Sequence, residues 1–255
     1  MIHPTAIIDP AAEVDSSARI GPYCIVGPNV VIGADTELQH HVTIMGPTTI
    51  GAGNYFFAYT SIGQKTQDLK YAGEPTYLEI GDGNTFREFS TVNRGTLPGT
   101  KTIVGNGGNF LAYSHIAHDC IVGNKVIFSN NGTLAGHVEV GDHAVIGGLA
   151  AVHQFCRVGR HAITGGCSKI VQDVPPFFIA DGNPAVIRGI NQVGLERAGF
   201  SAETIRTLKE AYRILYRSKL NVKQSVEVIR QEIPALPEIT ELCSFIESSQ
   251  RGIIR

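Results

Sequence analysis

Tryptophan is absent from this chain, which leaves few bulky anchors for a core, and no apolar run approaches the roughly 20 residues needed to cross a bilayer. The opening "MIHPTAIIDP" lacks a basic flank followed by an apolar stretch, so no secretory leader is expected. Cysteine is scarce and odd in number, with Cys24, Cys120, Cys156, Cys167 and Cys243 showing no CxxC spacing. That argues against a disulfide framework or a zinc knuckle and for reduced thiols in a cytoplasm. Charge is thin as well, at 17% of residues, and the net value of −2 by itself says nothing about partners; no nucleic-acid partner is expected. The charge is unevenly spread: residues 1–185 hold 10 Lys and Arg against 15 Asp and Glu, and residues 186–255 hold 11 against 8. A basic tail of that kind could meet an acidic protein or a diphosphate.

What the chain does have is hydrophobic residues, at 43%, enough for a sizeable core, and 29 glycines, which promise tight turns. It also has a period. From Ile2, every sixth residue is apolar: Ile8, Val14, Ile20, Val26, Ile32 and so on to Ile170. Of 29 positions at this spacing, 25 fit; the exceptions are Asp68, Glu74, Pro98 and Thr164. The fifth residue of each six is usually small, as at Ala6, Ala12, Ala18, Cys24 and Ala144. A helix at 3.6 residues per turn cannot keep this period on one face, and a long strand alternates at two. A chain that makes a short strand and turns a corner every six residues can. Three such hexads close a coil of 18, and stacked coils supply one another's backbone hydrogen bonds. The spacing predicts a parallel β-helix over 1–185 with loops thrown out at 64–77 and 95–101, followed by an α-helical domain over 186–255. In that tail Ser201 is a candidate N-cap, with further helices at about 221–233 and 238–250.

On this lattice the hexads starting at Ile116, Leu134 and Val152 share one prism face, and each carries a histidine away from the inward places: His118, His137 and His153. They are expected to project outward as a cluster, with His115 at the preceding corner. Three imidazoles could bind zinc, as in carbonic anhydrases built on this scaffold. Alternatively, one imidazole could act as a general base, with Asp119 fixing its tautomer.

The hexads together with "HIAHDC", "LAGHVEVGD", "AVHQFCRVGRHA", "TGGCSKIVQDVPPF", "GNPA" and the tail "RGIIR" resemble the acyl-[acyl-carrier-protein]–UDP-N-acetylglucosamine O-acyltransferases over essentially the whole chain. The resemblance implies a left-handed β-helix and a homotrimer with active sites between subunits. It implies transfer of an R-3-hydroxyacyl chain from acyl carrier protein to the 3-hydroxyl of UDP-N-acetylglucosamine, the first step of lipid A synthesis, with no cofactor and no metal. By position, His118 matches the general base, Asp119 its orienting carboxylate, and the backbone N–H of Gly136 the oxyanion donor. Asp68, Lys70, His115, His137, His153 and Gln154 match contacts to the sugar nucleotide or thioester, and Asn191 and Arg197 match residues near the uridine. Gly166 matches the position that limits acyl length, where glycine implies room for a long chain. The N-acyltransferases of the same pathway carry an extra domain before their repeats, whereas the hexads here start at Ile2. A structural β-solenoid would present regular threonine ladders rather than these histidines.

Overall fold

The structure is a computed structural model describing residues 1–255. Short strands, most of two residues, stack into three long sheets of nine, eight and ten strands. The first sheet runs from Ile7–Ile8 to Lys169–Ile170, the second from Glu13–Val14 to Arg157–Val158, and the third from Arg19–Ile20 to a closing hairpin. Within the coils every pairing is parallel and joins equivalent places, such as Ile116 with Leu134 and Leu134 with Val152. The first residue of each hexad points inward. Phe56, Phe86, Phe110 and Phe128 form a stack down the axis with centroids 5.0, 4.5 and 5.2 Å apart, close to the spacing of neighbouring strands. All four are at most 1% exposed, so phenylalanine supplies the anchors that tryptophan would otherwise provide. Thr164, an exception to the pattern, is nonetheless wholly buried, and its hydroxyl accepts a hydrogen bond from the Gly147 N–H.

From Tyr23 onward most corners carry one left-handed residue, and His, Asn, Asp, aromatic residues and glycine fill most of these places. Asp119, His137 and Phe155 have φ of 58°, 60° and 64°, a region that Asp and His enter more readily than most. Both expected excursions leave the edge between the first and second sheets on consecutive coils. One runs from the strand Ser61–Gln64 to Tyr77–Ile80, the other from Thr91–Asn93 to Lys101–Val104. The coil above them brings His118 and Asp119 to that same edge.

The ladder outlasts Pro175 and Pro176. Phe178–Gly182 joins the third sheet beside Ile163–Thr164 and folds back as an antiparallel hairpin with Ala185–Ile190. The break expected after residue 185 thus falls within this hairpin. Helices follow at α1 (Gln192–Arg197), α2 (Ala202–Arg217), α3 (Val222–Glu232) and α4 (Pro237–Glu247). Ser201 caps α2, its hydroxyl accepting from the Thr204 N–H. The tail returns to the prism, where Ile253 bridges Asp173. The buried Asp173 carboxylate accepts from Arg157 Nε at 3.1 Å and from the Ser249 hydroxyl at 2.7 Å. No helix is long and apolar enough to cross a membrane, and no two of the five cysteines are bonded.

Candidate active site

His118 and Asp119 form the corner that follows the strand His115–Ile116. Because the corner turns so tightly, the two neighbouring side chains face each other: His118 Nδ1 donates to Asp119 Oδ2 at 2.8 Å. Their side chains are only 12% and 8% exposed. Asp119 is held through both its carboxylate and its backbone. The Thr96 N–H of the second excursion donates to the same Oδ2 at 3.1 Å, and the Asp119 N–H donates to Thr102 Oγ1 at 2.8 Å. With Nδ1 carrying the proton, the lone pair of Nε2 faces the cleft. There Asp68, from the first excursion, places a carboxylate oxygen 4.0 Å from Nε2, so two acceptors face the cleft side by side, one for a hydroxyl that gives up its proton and one for a second donor of the same ligand.

Gly136, one coil further on, makes room for the ring. A Cβ at this position would lie 2.4 Å from Cε1 and 2.5 Å from Nε2 of His118. Its buried N–H donates to no group of the chain, whereas at other edges the equivalent N–H is filled by a side chain, as Asn124 N is by Asp142 Oδ1 at 2.7 Å. His137 follows, edge-on to His118 at 5.1 Å, with Nε2 3.8 Å from Asp119 Oδ2, and it stacks on Phe155 at 4.6 Å. Beside His137 and Phe155 a polar cleft of about 370 Å³ opens between the second sheet and the C-terminal tail, and Glu139, Arg157 and Ser248 line it.

The expected histidine cluster is thus rearranged. His115 does not sit at a corner; it lies in the strand and bonds Thr91 Oγ1 at 2.7 Å. Burial, and then the nearby His118, hold its pKa below the usual imidazole value, so it is neutral at neutral pH. His153 is exposed and bonds the carbonyl of its neighbour Gln154, because it sits one place short of the corner, and Phe155 takes its expected seat beside His137. Sequence reasoning missed Phe155, though its distance of 18 residues from His137 was a usable signal. It also missed Thr96, which lies in an excursion where the lattice gives no address.

Three side chains could share a metal here: His118, Asp119 and His137, whose ligand atoms all lie within 4.8 Å of one another. This set has two imidazoles and a carboxylate, not the three imidazoles weighed from the sequence. Lys70 is exposed and contributes its backbone N–H to Asp68 at 2.9 Å. Gly166 belongs to the edge between the third and first sheets, where a Cβ would meet only the Gly148 carbonyl, at 3.5 Å. Asn191 is buried as the cap of α1 and also donates to the His161 carbonyl at 2.9 Å, while Arg197 is exposed at the end of that helix. Within one chain these last three are not brought to His118.

Comparison with known proteins shows the family. The family model described as "Udp N-acetylglucosamine O-acyltransferase; Domain 2" matches residues 173–254. An acyl-[acyl-carrier-protein]–UDP-N-acetylglucosamine O-acyltransferase of Myxococcus xanthus is 47% identical over 82% of each chain. The chain belongs to this acyltransferase family. Two solved structures extend the match to the whole fold. The UDP-N-acetylglucosamine O-acyltransferase of Moraxella catarrhalis is 47% identical, with a TM-score of 0.96 over 100% of this chain and 99% of its own. The UDP-N-acetylglucosamine acyltransferase of Bacteroides fragilis is 41% identical, with a TM-score of 0.97 over 100% of both. The β-helix is left-handed, the fold that the resemblance implied.

Proposed function

We propose that this acyltransferase moves an R-3-hydroxyacyl group from acyl carrier protein to the 3-hydroxyl of UDP-N-acetylglucosamine, opening lipid A biosynthesis. The observation that carries the mechanism is the imidazole anchored through Nδ1 by Asp119, an acceptor that puts the proton on Nδ1 and leaves the lone pair of Nε2 facing the cleft beside Asp68. The 3-hydroxyl donates its hydrogen bond to Nε2, and the Asp68 carboxylate beside it accepts from another donor of the sugar. Nε2 takes its proton as the oxygen attacks the thioester carbonyl, and Asp119 stabilises the imidazolium that forms. The charge arising on the carbonyl oxygen falls to the unfilled N–H of Gly136. The tetrahedral intermediate collapses, the C–S bond breaks, and the imidazolium returns its proton to the departing thiolate. Ester and free carrier thiol are the products, and no cofactor or metal enters the balance.

The active species is a homotrimer in the cytoplasm, with the site completed across subunits. Two observations support this. Gly166 lies on a prism edge other than that of His118, and Asn191, as N-cap, and Arg197 belong to the helix α1 beyond the coils. An apolar stripe of Tyr23, Tyr59, Phe89, Tyr113 and Leu149, each at least 43% exposed, also runs down the edge that carries Gly166. His115, His137, His153, Gln154, Asp68 and Lys70 contact the sugar nucleotide or the thioester from one subunit; Asn191 and Arg197 meet the uridine end from the next. The test is His118→Ala: transfer falls by about 10²–10⁴-fold, the usual worth of a general base, while the trimer and its melting point survive. Near-normal transfer by this variant would end the assignment.

A further inference from the structure

Five buried side-chain atoms in the whole chain have no hydrogen-bond partner, and three of them belong to the stems of the two excursions: Thr76 Oγ1, Asn93 Oδ1 and Arg94 Nε. These residues are neighbours, since Gly95 N–H donates to the Tyr77 carbonyl at 3.1 Å and Arg94 N–H donates to the Gln64 carbonyl at 3.0 Å. Arg94 stands out among them. It is 9% exposed, its guanidinium makes no hydrogen bond within the chain, and no carboxylate lies within ion-pair distance of it. Its terminal nitrogens, unlike Nε, keep contact with solvent.

Arg94 also has an address. Val92 pairs with Ile116, so Arg94 occupies the place of His118, one coil earlier on the same edge. A buried guanidinium cannot shed its proton, and without a counter-charge it costs several kcal/mol. A neutral acceptor would leave that charge uncompensated, so the missing partner is an anion brought from outside the chain.

We propose that Arg94 receives the diphosphate of the acceptor sugar nucleotide and so positions its 3-hydroxyl at His118. This rests on the acyltransferase reading. The acyl donor also carries a phosphodiester, but that group lies a full pantetheine arm from the thioester, too far from a residue one coil from the base. The diphosphate lies one sugar ring from the 3-hydroxyl.

Steady-state kinetics of Arg94→Gln and Arg94→Lys test the assignment, with the acceptor and the acyl donor varied separately and UDP and uridine titrated as inhibitors. Loss of a charge-assisted contact predicts an acceptor KM raised about 10- to 100-fold in Arg94→Gln, with the donor KM within about twofold. Inhibition by UDP weakens in parallel, inhibition by uridine does not, and Arg94→Lys recovers part of the loss. Should Arg94→Gln fail to fold, an acceptor-specific rise in KM in Arg94→Lys supports the proposal alone. An unchanged acceptor KM, or a loss of trimer with both KM values intact, overturns it, the latter because a carboxylate of a neighbouring copy would then be the partner. A donor-specific rise overturns it in favour of the carrier's phosphodiester. A wild-type protein that transfers nothing to the sugar nucleotide refutes the acyltransferase reading itself and not this assignment.

Discussion

Adding one methyl group at Gly136 should disable the site without unfolding the protein. The backbone there does not have a positive φ, so alanine is conformationally tolerated. The new Cβ would meet His118 Cε1 at 2.4 Å and Nε2 at 2.5 Å, against an ordinary contact of 3.4 Å or more, so the ring must retreat by about 1 Å. A displacement of that size strains the 2.8 Å bond to Asp119 and moves Nε2 from its 4.0 Å approach to Asp68. Misplacing a reacting atom by about 1 Å can cost about 10²-fold. The N–H of residue 136, the proposed oxyanion donor, is retained. Gly136→Ala should therefore lose about 10²-fold in kcat, keep its thermal midpoint within a few degrees, and stay assembled. Stopped-flow or mass-spectrometric rates with saturating donor and acceptor give kcat directly. A variant with a wild-type kcat would show that the position of this imidazole does not set the rate, and the general-base role would fall.

Three other consequences can be checked. Gly166→Met fills an open edge position, and should shift donor preference to shorter 3-hydroxyacyl chains with little change in stability; an unchanged length profile would remove Gly166 from the acyl path. Phe110→Ala opens the aromatic stack between Phe86 and Phe128, and should cost about 3–5 kcal/mol in urea unfolding. His161 is pushed down to about 4, first by burial and then by the charges of His143 and Arg160. Its folded pKa is depressed, so the unfolded chain takes the proton first as pH falls. This contribution to stability is constant above about 6.5 and is lost between there and about 4; His161→Gln should flatten that limb of the unfolding profile.

The lattice was legible in the sequence because an inward residue every sixth place leaves no other periodic structure available. The excursions were legible for a subtler reason. Ile62 pairs with Val92 and Val92 with Ile116, separations of 30 and 24 residues where an ordinary coil spans 18. The inserted lengths are therefore multiples of six, which is why the phase resumes unbroken after Asp68, Glu74 and Pro98. The hairpin at 178–190 was not legible, since Pro175 and Pro176 look like an end to ladder bonding, yet the chain re-enters the third sheet two residues later. At the site, the pairing of His118 with Asp119 could be expected from adjacency. Which histidine joins it could not. One place along the chain decides whether a side chain lies in a strand, as His115 does, at a corner, as His137 does, or just short of one, as His153 does. Thr96, Phe155 and Arg94 carry no motif, and only their register with His118 and His137 reveals them.

A single imidazole, His118, drives ester formation on a sugar nucleotide in the mechanism proposed above. The most direct test incubates purified protein with UDP-N-acetylglucosamine and 3-hydroxyacyl carrier proteins of graded chain length and follows the nucleotide by mass spectrometry, with His118→Ala alongside. A new ester on the sugar, strongest with a long donor, should form with wild-type protein and all but disappear with the variant. Equal ester formation by both proteins, or none from any donor with the folded wild-type protein, would contradict it.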